Sequence, residues 1–177
     1  ANKDKLEPAN KLLTRILAAR REAWEKAERA KLKAQGKAPK GEEWKRKYKE
    51  PMEFAEVSNA ELPTTWERCS LDALSWSSSY GTSTKCSYDS SGVSVLRIPN
   101  VRIGKINFDD LKFAASDSEF EAGDLVSAGD LLIVRTNGSE EIIGIGAVVD
   151  KHPAIPTYFA SYLIRFRLLT IEPALAD

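Results

Sequence analysis

Apolar positions recur with two different periods along the chain, and the change of period separates a helical beginning from a strand-rich remainder. From Glu7 and Pro8 onward, Leu12, Leu13, Ile16, Leu17, Ala23, Trp24 and Ala27 return every three or four residues. That spacing predicts one amphipathic helix with proline at its first position, reaching Gln35, where Gly36 stops it. An apolar stripe of that size needs a cover, which either the chain's own domain or a partner chain supplies. GKAPKGEEWKRKYKEPMEF, interrupted by Pro39, Gly41 and Pro51, then predicts a basic connector. At Leu62 the character changes to LPTTWERCSLDALSW, read as the entry to a separate domain with Trp66 as a core or boundary anchor.

From there the period shortens to two. Val93 to Ile106, VSVLRIPNVRIGKI, has strand chemistry interrupted by Pro99, which cannot sit in a central ladder and so places Arg97, Asn100, Arg102 and Lys105 around a kink. Leu131 to Val134 and Ile142 to Val149 are apolar runs of the kind buried on both faces. Between them lie Arg135, Asn137, Gly138 and Ser139, and the Asn137-Gly138 dipeptide predicts a tight reversal with positive φ. Tyr158 to Leu169 alternates as one last strand, with Arg165 and Arg167 together on a wet face. The remaining segments read as connections. Ser77 to Gly92 is a long polar loop offering Tyr80, Thr82, Ser83 and Lys85; Asn107 to Phe113 is a short helical turn; Ser116 to Ala128 is a turn-rich acidic link. The expected fold is α+β, with a helical segment at 1–35, a basic linker at 36–61 and a mainly β domain at 62–177.

Net charge adds a division that the pattern alone does not show. The total is zero, yet residues 1–53 carry 16 Lys or Arg against 9 Asp or Glu, while the rest carries 10 against 17. Such asymmetry argues for an arm with its own partner rather than a uniform coating of a polyanion. Lys45, Arg46, Lys47 and Lys49 form either a solvated face or a phosphate contact. No apolar run approaches the roughly 20 residues that span a membrane, and ANKDKLEP lacks a signal peptide's apolar core. Cys69 and Cys86, without a histidine set, read as reduced thiols of a cytoplasmic protein. Ala1 and the single methionine, Met52, suggest a piece excised from a longer chain.

Catalytic constellations are missing from the sequence. There is no nucleophile elbow, Walker loop, dinucleotide fingerprint or paired-histidine zinc motif, and His152, the one histidine, sits in a proline-bounded loop and reads as structural. No Asn- or Asp-Pro-Pro-aromatic motif and no nuclease set of carboxylates with lysine is found. The chain reads as one that recognises and does not react.

The ordered motifs LPTTW, YGTSTK, VLRIPNVRIGKI, GDLLIVRTNGS with IGIGAVV, and FASYLIRFRL resemble a target-recognition domain of the specificity subunits of type I restriction-modification enzymes. The upstream EPANKLLTRILAARREAWEKAERAKLKAQGKAPKGEEWKRKYKEP resembles the segment that, in many such subunits, follows the first long spacer helix and leads into the second recognition domain. The resemblance implies recognition of half of a bipartite site in double-stranded DNA, without catalysis, in defence against foreign DNA. It also implies methyltransferase subunits that methylate adenine and a motor/restriction subunit that translocates and cuts, with S-adenosylmethionine, ATP and magnesium confined to those partners. Carried over by position, the recognition groups are Thr82, Ser83 and Lys85 beside Gly81; Arg97, Asn100 and Arg102 at the kink; and Arg135, Asn137 and Ser139 beside Gly138. The family's domain continues past FASYLIRFRL into a second helix, so the domain here is expected to be C-terminally incomplete. Two alternatives stay open on the residues alone: an assembly module without DNA contact, and the recognition part of a fused restriction-methylase.

Overall fold

In the computed structural model the described residues are 7–37, 41–52, 61–120 and 122–171. The chain is α+β, with one long helix followed by short strands, and it divides into two compact units, 1–77 with 169–177, and 78–168.

In the first unit, α1 (Ala9–Ala34) begins directly after Pro8, as the three- and four-residue spacing predicts. Lys31 and Lys33 in its last turn suit the negative end of the helix dipole. Part of the stripe's cover comes from the chain itself. A 3-10 turn at Glu43–Lys47 buries Trp44, which stacks on Trp24 at 6.0 Å, while Tyr48 meets Trp24 edge-on at 5.3 Å. On the same helix the buried Arg20 acts as a strut. Its Nε donates to Ser75 O at 2.9 Å, its Nη1 to Tyr48 Oη at 2.6 Å and Lys49 O at 2.9 Å, and it pairs with Asp72 at 3.6 Å.

Two expectations about this unit change. The basic run is partly consumed within the unit: Lys45 pairs with Glu25 of the helix and with Glu42, and Lys47 lies 4.0 Å from Glu28 of the helix. The hydrogen bond to Glu42 holds the Lys45 ammonium above its ordinary pKa. Trp66 is exposed and anchors no core, because 61–67 runs along the surface.

Apart from the first three residues of β1, the second unit contains two four-stranded sheets and a small ribbon. In chain order the strands are β1 (Ser75–Tyr80), β2 (Cys86–Ser87), β3 (Val93–Leu96), β4 (Val101–Arg102), β5 (Lys105–Ile106), β6 (Lys112–Ala114), β7 (Asp130–Val134), β8 (Gly146–Val148), β9 (Thr157–Phe159) and β10 (Leu163–Leu168). One sheet has the order β1-β10-β7-β8, the other β2-β6-β3-β9, and β4 pairs with β5 alone. The apolar runs supply the core, where Leu96, Val101, Ile106, Val126, Leu132, Val134, Val149, Phe159 and Leu163 pack together. Along β7 burial alternates, with Asp130, Leu132 and Val134 buried and Leu131 and Ile133 half-buried, so one face is sealed completely and the other in part. Among the described residues no helix is long and apolar enough to cross a membrane.

The strand-rich unit departs from its sequence pattern in four places. Tyr158 to Leu169 is two strands in different sheets, since β9 pairs in parallel with β3 (Val95 opposite Tyr158) while β10 pairs antiparallel with β7 (Ile164 opposite Ile133). The polar stretch 77–92 contains the end of β1 and all of β2, because backbone pairing does not require apolar side chains. Residues 107–111 form no helical turn; they lead into β6, which pairs with β3. The positive-φ residue between β7 and β8 is Gly144 at +87°, not the Asn137-Gly138 pair.

Arg165 and Arg167 are not on a wet face. Arg165 is 2% exposed, since β10 lies inside its sheet and shares the covered face with Leu163. Its guanidinium donates to Leu125 O, Gly123 O and Ser79 Oγ and lies 3.8 Å from both Asp124 and the buried Asp130. Burial, reinforced by Arg167, pushes its pKa below the ordinary arginine value against the pull of Asp130 and Asp124. Arg167 donates to Asp130 Oδ1 at 3.0 Å and to Leu125 O at 2.8 Å.

Candidate nucleic-acid interface

The break between β9 and β10, residues 160–162, joins two loops that are far apart in sequence. Thr82 N donates to Phe159 O and Ser161 N donates to Thr82 O, both at 2.8 Å, so 81–82 is laced along the end of β9. From the other side Arg135 N donates to Tyr162 O and Arg135 Nε to Ser161 O, each at 3.0 Å. The Arg135 guanidinium then lies 4.5 Å from the ring centre of Tyr80, within cation–π range. Tyr80 is 61% exposed and Tyr162 is also exposed, so the cluster opens to solvent. No partner for the Nη groups of Arg135 is found among the described residues. The guanidinium is therefore fixed in direction while its outer fork stays available.

Gly81 makes the lacing possible. A Cβ there would lie 2.0 Å from Phe159 O and 2.6 Å from Ala160 C and O, all backbone atoms that no rotamer change can move. Beyond it, Thr82 Oγ1 contacts Thr84 Oγ1 at 2.7 Å and accepts from Thr84 N, which turns the loop and leaves Ser83 and Lys85 exposed. Further on, Asp89 accepts from Ser91 N at 3.0 Å, which holds its carboxyl below the usual range.

The Pro99 kink separates its candidates into two roles. Asn100 is 1% exposed and satisfied on both sides: Oδ1 accepts from Arg97 N at 2.8 Å, and Nδ2 donates to Asn107 O and Asp110 O at 3.0 Å. Its amide holds the kink together. Arg97 donates to Asp110 O at 3.1 Å and to Asp110 Oδ2 at 3.3 Å, which commits it to the same brace. Arg102 instead emerges exposed on β4, opposite Lys105 on β5.

Loop 135–145 connects the two regions. Asn137 Oδ1 accepts from Ser139 N at 2.8 Å, an Asx turn that orders the loop tip. Asn137 also lines an open groove with Arg102, Ile103 and Ile142. The structure thus links Thr82 and Arg135 through Ser161 and places Arg102 and Asn137 on one open groove, with the 135–139 loop contributing to both, and it withdraws Arg97 and Asn100 into the scaffold. His152 accepts from Ala128 N at 3.4 Å through Nδ1, a structural contact. Tyr162 escapes sequence reasoning because 158–169 alternates without a break; the small residues Ala160 and Ser161 are the only local hint.

No family model matches the chain. Over 89 residues the chain is 36% identical to the Type I restriction enzyme EcoKI specificity subunit of Escherichia coli (strain K12). The match covers 50% of this chain and 19% of that protein, so the chain spans about a fifth of the curated relative. The resemblance carried by the ordered motifs is matched by this similarity to part of a type I specificity subunit.

Proposed function

We propose that the chain is the inter-domain segment and part of a target-recognition domain of a type I specificity subunit, and that unit 78–168 reads duplex DNA without catalysing a reaction. The observation that carries this reading is the anchored Arg135, held by Ser161 O and the Tyr80 ring with its Nη fork open. A planar guanidinium fixed in that way suits the O6 and N7 atoms of guanine in the major groove. Asn137, which lines the same open groove as Arg102, suits a hydrogen bond from Nδ2 to a base acceptor. Exposed Ser83 and Lys85 suit phosphates, which position the domain without reading sequence. The partners in this reading are methyltransferase subunits and a motor/restriction subunit of a cytoplasmic complex, and S-adenosylmethionine, ATP and magnesium act on those chains. A recognition domain that grips the duplex permits a partner to flip the adenine it methylates.

The test is salt-dependent binding of duplex DNA by the full-length parent chain in its complex. Lys85→Ala is expected to flatten the plot of log affinity against log salt by about one unit. Arg135→Ala is expected to weaken the cognate duplex by about 1–3 kcal/mol while leaving binding to unrelated duplex nearly unchanged. A parent complex that binds no duplex, or an Arg135→Ala loss equal on cognate and unrelated DNA, contradicts the reading.

A further inference from the structure

The ribbon made by β4 and β5 has a composition that the scaffold does not need. Val101 and Ile106 sit opposite each other and are buried in the core, which accounts for the ribbon's inner face. On the outer face Arg102 is directly opposite Lys105, both exposed. Like charges in that register repel, because opposed side chains in an antiparallel pair are close neighbours. No carboxylate among the described residues lies within ion-pair distance of either cation. The fold therefore maintains an uncompensated pair of positive charges at a fixed spacing.

Between them, at the tip, is Ile103, which is 85% exposed, more than any other large apolar side chain among the described residues. The tip is not loose. Gly104 takes φ of +70°, as the turn requires, and its N–H donates to Gly146 O at 3.1 Å, tying the hairpin end to β8. A rigid, narrow ribbon that presents an aliphatic group flanked by two cations matches the device by which proteins enter a DNA groove, with cations on the phosphates and an apolar wedge that partly unstacks a base step.

We propose that the Arg102–Lys105 hairpin enters a groove of the bound duplex, that Arg102 and Lys105 contact phosphates on either side, and that Ile103 wedges against a base step and loosens its stacking. The assignment rests on the DNA-recognition reading above and adds a residue that reads deformability rather than base edges. Loosening a step next to the site would also lower the work of extruding the adenine that a partner methylates.

The experiment uses the full-length parent complex and a duplex carrying the motif that methylome sequencing assigns to it. 2-Aminopurine replaces, in turn, each adenine in and beside the half-site other than the methylated one, so that the motif is kept and flipping by a partner does not enter the signal. The wild-type complex is expected to raise the fluorescence several-fold at one step, and Ile103→Ala to return it to the free-duplex level with the salt slope unchanged. The Arg102→Gln, Lys105→Gln double variant is expected to lower that slope by roughly two units, about 0.9 for each phosphate contact. Its melting temperature should stay level or rise, since a repulsive pair is removed. Ile103→Ala fluorescence equal to wild type at every position, or an unchanged slope in the double variant, overturns the hairpin assignment while the DNA reading stands. A wild-type complex that does not bind the motif duplex overturns both.

Discussion

Arg165→Met is expected to destabilise the chain by about 3–5 kcal/mol, the range for removing one partner of a buried ion pair. The side chain is enclosed, and it satisfies the backbone carbonyls of Leu125 and Gly123 as well as Asp130. Methionine fills a similar volume but leaves both carbonyls with fewer donors and leaves the 3%-exposed Asp130 to Arg167. Because a domain of ordinary stability has only about 5–15 kcal/mol to lose, the urea midpoint should fall far below that of the parent at an unchanged slope. Adding Asp130→Asn in the same chain should deepen the loss, because Asp130 is then the remaining charged partner of Arg167. A stability loss no larger than about 0.5 kcal/mol, as for a surface change, would mean that Arg165 does not brace the sheet.

Gly81→Ala is the second large effect. The added methyl meets three backbone atoms of Phe159 and Ala160, so 81–82 must move away from 159–160. That motion breaks the two hydrogen bonds through Thr82 and shifts Ser161 and Tyr162, whose carbonyls hold Arg135. The two lost bonds lower stability by about 1–3 kcal/mol, and loss of the fixed guanidinium removes about 1–3 kcal/mol of discrimination, roughly five- to 150-fold in cognate affinity. Gly138 is the control. Its φ is not positive and a Cβ there meets nothing within 4 Å, so Gly138→Ala should be nearly silent in thermal melts. Equal behaviour of the two variants would show that the close approach at Gly81 does not organise the site.

Local rules made the helix and the polar loops legible. The recurrence of Leu12, Ile16 and Trp24 with Pro8 ahead of them places α1 (Ala9–Ala34) to within a residue. The loops at Gly81 and Arg135 stand out because polar groups interrupt apolar runs. The failures are long-range. Nothing local in TYFASYLIRFRL says that Tyr158 pairs in parallel with Val95 while Ile164 pairs with Ile133, so the break at 160–162, which joins the two loops, stays hidden. Period-two alternation puts Arg165 and Arg167 on one side but does not say whether that side is covered. Asn100 looks like a reader of adenine by residue type, and only its three hydrogen bonds identify it as a brace.

In the proposed function, unit 78–168 selects the bases of a DNA half-site through Arg135 and its neighbours. Methylome sequencing of cells carrying the full system, wild type against Arg135→Ala, tests it most directly. The expected result is a bipartite adenine-methylated motif in which the variant relaxes one position of one half and leaves the other half unchanged. A motif identical in both strains, with methylation equally complete, would contradict it.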